Sequence, residues 1–130
     1  MPTPRTAPRM AQAGLLLALM ACRSEPAVYG TPADPSTLAL AAQPLGADTV
    51  GPVVVRGTVG QVCDAGCWFY LLDTKSLVFV QLDLATGLTI PTDSQGQAVL
   101  VKGRIIEESG QRVLHAETVI LGNAARPDGA

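Results

Sequence analysis

Val55-Arg56-Gly57-Thr58-Val59 returns further along the chain as Val101-Lys102-Gly103-Arg104-Ile105, and this echo decides the fold. Each copy lies inside a long run of aliphatic and β-branched residues with a glycine at its centre. Glycine weakens a strand interior, so one found there marks a sharp bend, a bulge or the close approach of another backbone. Two long bent strands separated by two shorter ones and a loop are expected to coil into a small five-stranded OB-like barrel. The fold class expected is all-β.

Working outward, five β-like runs cover residues 53–63, 67–73, 77–82, 98–107 and 112–121, each bounded by turn residues. Asp73-Thr74-Lys75-Ser76 and Glu108-Ser109-Gly110-Gln111 are polar turns suited to hairpins. The longer connection at 83–97 contains Gly87, Pro91 and Gly96, so the helix usual at this place in the fold is expected to be short or lost. Residues 23–52 carry prolines at 26, 32, 35, 44 and 52, a density that excludes a continuous helix or a central strand. The expected division is a lipoprotein signal peptide at 1–21, a tether and N-terminal extension at 22–49, a barrel domain at 50–122 and a frayed tail at 123–130. Residues 38–45 are expected to form at most a short apolar turn against the domain.

A chain of 130 residues, 48% apolar and 15% charged, is long enough for one small domain and is not a disordered polyelectrolyte. Nine basic residues against eleven acidic ones leave a net charge of −2. Nucleic acid as a partner is disfavoured, because binding it needs clustered Lys and Arg to displace counterions.

The first residues read as an address. Arg5 and Arg9 precede the apolar run 11–21, AQAGLLLALMA. As a helix that run spans about 16 Å, too short for a hydrocarbon core of about 30 Å, and its small terminal residue completes the pattern of a secretory signal. Leu19-Met20-Ala21-Cys22 resembles a bacterial lipobox. That resemblance implies that Cys22 is lipidated and becomes the first mature residue. Several acyl chains, each contributing about 0.8 kcal/mol per buried CH₂, anchor a protein firmly. Arg23 stands where inner-membrane retention would require Asp, so an outer-membrane anchor facing the periplasm is expected. Removing the leader takes two bases and no acid, leaving a net charge of −4.

Cys63-Asp64-Ala65-Gly66-Cys67 joins the first two runs. Gly66 is expected at positive φ in a tight hairpin, which sets Cys63 and Cys67 opposite each other within disulfide reach. Three readings are open: a structural disulfide, suited to an exported protein; a thiolate metal or redox site for Cu or Zn, with His115 as the possible third ligand; or two buried thiols. Trp68, Phe69 and Tyr70 follow, and adjacent strand residues point to opposite faces, so at least one of them belongs to the core. A lone histidine and scattered acids offer little for catalysis, and no catalytic residue is assigned.

Gly57-Thr58-Val59, Val62-Cys63 and Gly66-Cys67-Trp68 resemble the G-x-V-x-x-V-C-x-x-G-C-W core of domain-of-unknown-function family 4920, small exported bacterial proteins. Tyr29-Gly30, Ile90-Pro91 and the stretch 99–103 extend the resemblance over most of 29–106. It implies fold and compartment and no particular activity. The family often continues into a helical H-Y-A-type segment, whereas 112–121 here reads as a fifth strand. The expected function is a non-catalytic OB-like binding or structural module of the bacterial cell envelope, an outer-membrane lipoprotein without a cofactor. Its partners would be the membrane, through the lipid, and an envelope component or small ligand. The alternative is a thiolate-based metal-binding or redox protein using Cys63 and Cys67.

Overall fold

The five runs are the five strands of a closed barrel. A computed structural model describes residues 27–46 and 48–126; the expected signal peptide and Cys22 lie outside the described residues. In chain order the strands are β1 (Ala27–Gly30), β2 (Gly51–Val62), β3 (Trp68–Leu72), β4 (Leu77–Leu82), β5 (Ala98–Glu108) and β6 (Gln111–Leu121). They are joined by one helix, α1 (Pro35–Ala41), and by two single 3-10 turns, Leu84–Thr86 and Asn123–Ala125. Around the barrel the order is β2-β3-β4-β6-β5, with β5 returning to β2. The pairing that closes it, β4 with β6, is parallel, from Phe79↔Val113 to Leu82↔Ala116. The other pairs are antiparallel. This is the small all-β OB-like barrel.

The echo has a geometric cause. β2 and β5 pair so that Gly57 faces Val99 and Gly103 faces Val53, at equivalent places in the two strands. Each strand bends there toward its other neighbour. A Cβ on Gly57 would meet the Leu72 carbonyl of β3 at 2.5 Å and the Leu71 side chain at 2.6 Å. A Cβ on Gly103 would run into the His115 carbonyl of β6. Register shifts at Val59/Val62 and at Lys102/Gly103 add bulges beside both bends, as tight coiling requires.

Alternation fills the interior. Val55, Val59, Phe69, Leu71, Val80, Val101, Leu114 and Val119 are all buried in one cluster. Leu88 and Ile90, from the connection after β4, are buried in the same core and cap one end. The helix usual in that connection is reduced to the 3-10 turn Leu84–Thr86. Ser109 and Gly110 both have positive φ, giving the two-residue turn that matches strand twist between β5 and β6.

The segment expected to be mostly tether is structured from Ala27. β1 pairs with Leu121 to Thr118 of β6, the part of that edge that β4 leaves free. Proline density did not prevent α1, because Pro35 occupies the start of the helix, where its missing N–H costs nothing. Asp34 caps that end, accepting from the Ser36 N–H and the Thr37 hydroxyl. Leu38 then buries itself against Leu100, Ile120 and Ala125 on the outside of the barrel. The tail is corrected as well: Asn123–Ala125 fold back, Ala125 is fully buried, and its carbonyl accepts from Arg56 Nε at 3.3 Å.

Candidate binding face

The outside of the barrel has two unlike sides. Outward positions of β2, β5 and the end of β6, including Val54, Leu100 and Ile120, lie under α1 and the turn at Asn123–Ala125. Outward positions of β3 and β4 lie under nothing described. Their register places Trp68 beside Gln81, Tyr70 beside Phe79 and Leu72 beside Leu77. The row continues through the parallel pair, Gln81 to His115, and on to Arg104 of β5.

The three rings form one aromatic plate, an uneven one, with the planes inclined by 37°, 71° and 75° to one another. Trp68 and Phe79 have centroids 5.5 Å apart, and Tyr70 stands edge-on to each at 5.6 Å. All three are half-buried. Such contacts add about 0.5–1.5 kcal/mol per pair beyond area burial, so the plate holds its shape without a ligand. Phe69, between two outward rings, is fully buried in the core.

Beside the plate opens a cleft of about 680 Å³, bordered by Trp68, Phe79, Gln81, Arg104, His115 and Glu117 among others. His115 Nε2 lies 2.7 Å from Glu108 Oε1, across the mouth of the β5–β6 hairpin. Glu117 is paired with Lys102 at 4.0 Å, an exposed contact of little energetic weight. Glu117 is the extra residue of the β6 bulge, which sets its side chain outward. The carbonyl of Glu117 accepts from the Thr31 N–H, tying the chain after β1 to the same place.

Cys63 and Cys67 are at disulfide distance, with Cα atoms 5.7 Å apart. They are not the directly opposed pair expected. The Cys63 N–H donates to the Trp68 carbonyl, so Cys67 falls within the connection, where its carbonyl accepts from Leu82 N–H at 3.1 Å. Gly66 has φ +71°, as expected, and packs so closely on Ile90 that a Cβ would strike that residue's carbonyl. The hairpin is thereby fastened to the loop that caps the barrel.

Cys67 and His115 border the same cleft. His115, however, is hydrogen-bonded to Glu108. Among the described residues no three His, Cys, Asp or Glu side chains are grouped as a metal site. Sequence reasoning missed Phe79, Gln81 and Arg104. The signal was present for the first two: the four-residue turn 73–76 pairs Leu72 with Leu77, which puts Phe79 across from Tyr70. The same holds for Arg104: the two-residue turn at Ser109-Gly110 sets Glu108 against Gln111, and that register, unbroken as far as Gly103, puts Arg104 across from His115.

Compared with known proteins, the chain matches no protein-family model and no curated protein.

Proposed function

We propose that this chain is a non-catalytic binding module of the bacterial cell envelope, an outer-membrane lipoprotein held by a lipid on Cys22, facing the periplasm. Membership of domain-of-unknown-function family 4920 is part of that reading and rests on the Gly57 to Trp68 motif. The observation that carries the binding role is the asymmetry of the barrel's outside. Where α1 covers the sheet, outward apolar residues such as Leu100 and Ile120 are fully buried; Trp68, Tyr70 and Phe79 are only half-buried and form a preformed cluster beside a cleft, with Leu72 and Leu77 exposed in the same sheet. Contiguous exposed apolar surface rimmed by polar groups marks interaction sites.

The anchor constrains how the face is presented. Only residues 23–26 separate Cys22 from β1, so full extension allows about 18 Å between lipid and barrel. The module works close to the membrane surface rather than far into the periplasm. The thiolate reading has one observation in its favour, the shared cleft of Cys67 and His115. The disulfide-distance pair and the Glu108 contact weigh against it, because a closed disulfide offers no thiolate to a metal.

The test is made in the host. A photocrosslinking residue at Gln81 should capture an envelope component, and one at Leu40, exposed on the far side, should not. Equal capture at both positions, or none at Gln81, removes the binding role. Palmitate should label the wild type and not Cys22→Ser; labelling of the variant removes the anchor.

A further inference from the structure

We infer that the open face binds a neutral oligosaccharide, a ligand class that rests on the reading of that face as a binding surface. The shape of the aromatic cluster limits what it can hold. With centroids 5.5–5.6 Å apart the rings touch one another, so they leave no space for a cation between them. They form an uneven plate rather than a cage: Trp68 and Phe79 are tilted by 37° and Tyr70 stands edge-on to both, so what the cluster offers a ligand is a single ring face, which takes a C–H surface or another ring.

The polar groups beside the plate choose between these. Gln81, Arg104, His115 and Glu117 bring an amide, a guanidinium, an imidazole and a carboxylate to one cleft. Together they supply donors and acceptors in planar groups, which suits vicinal hydroxyls. Two of them already have partners outside the cleft wall: the His115 ring is hydrogen-bonded to Glu108, and Glu117 has Lys102 at 4.0 Å. Arg104 is the one Lys or Arg on the cleft wall, and Asp83 joins Glu117 there as a second acid. A nucleic acid stacked on the same plate would need several cations along its phosphates. An uncharged, polyhydroxylated chain needs none.

Trp68 is the only tryptophan, so its fluorescence reports this face directly. The full-length protein, purified from its host, is titrated with chitotetraose, with maltotetraose and with a short oligothymidylate. A neutral saccharide should shift the emission saturably, and raising NaCl to about 0.5 M should leave that affinity unchanged. Gln81→Ala, at an exposed position, should weaken binding about tenfold through loss of one ligand hydrogen bond; Phe79→Ala should weaken it at least as much. Saccharides that leave the emission unchanged, or a response that both variants retain, overturn the proposal. Binding of oligothymidylate that fades with salt overturns the saccharide class while the face itself stands. Failure of the face is read separately, from the crosslink at Gln81.

Discussion

Adding a single methyl group at Gly103 tests why the barrel coils as it does. The new Cβ in Gly103→Ala would be driven into the His115 carbonyl, with the His115 carbonyl carbon at 2.9 Å and Ala116 Cα at 3.0 Å. All three neighbours are backbone of a paired strand, so relief requires moving β6 and, with it, the bulge at Lys102/Gly103. Overpacking of this kind costs about 1–3 kcal/mol. The more restricted unfolded chain of alanine returns about 0.4–1 kcal/mol, leaving a net loss of roughly 1–2 kcal/mol. For a domain of this size that lowers Tm by about 4–16 °C. Gly57→Ala should lose less, because part of what it meets is the Leu71 side chain, although the Leu72 carbonyl also stands at 2.5 Å. Gly60→Ala is the comparison: it is buried too, but its nearest neighbour, the Tyr70 carbonyl, is at 3.2 Å, so a smaller loss than at Gly103 is expected. Urea denaturation of the three variants gives the ranking through the shift in midpoint. Gly103→Ala as stable as wild type, or less affected than Gly60→Ala, would refute close backbone approach as the reason for the glycine.

Three further outcomes follow from the packing. Leu38→Ala should destabilise by about 2–3 kcal/mol in denaturant unfolding, since the helix docks through that side chain; a neutral result would return α1 to the status of a tether. Reduction of the Cys63–Cys67 pair should cost about 2 kcal/mol, the small value set by so short a loop, and thiol labelling before reduction should find neither cysteine free. Two labelled thiols together with tight Cu(I) or Zn binding, abolished by Cys63→Ser, would restore the metal reading. Removing residues 123–130 should destabilise by about 1–2 kcal/mol, because Ala125 is buried against Leu38, Leu100 and Ile120.

Much of the barrel could be read from the chain because it depends on short-range patterning. Periodic aliphatic runs, polar turns and two central glycines determine five strands and their bends, each within one residue's neighbourhood. Ser109-Gly110 and Gly66 declare their turns because only certain residues tolerate positive φ. The cysteine pair was legible as proximity. Its offset from direct opposition was not, since a one-residue change in connection length leaves composition untouched. The candidate face was half legible: alternation sends Trp68 and Tyr70 to one side and Phe69 to the other, yet nothing local says which side is the core.

What the sequence by itself determined is therefore the strand content, the turn positions, the need for glycine at 57, 66 and 103, and the near neutrality that disfavours nucleic acid. Tertiary structure alone decided the rest. Whether the stretch after Pro26 floats or folds depended on the free edge of β6 that β4 leaves at residues 118–121, which only closure of the barrel creates. Whether Phe79 and Gln81 meet His115 and Arg104 depended on the parallel β4–β6 pairing, a contact between residues far apart in the chain, with Arg104 carried in by the β5–β6 hairpin. Strand identity is a local energy and can be read from its own residues. A shared surface is a sum over pairings, and it exists only once the last strand has closed.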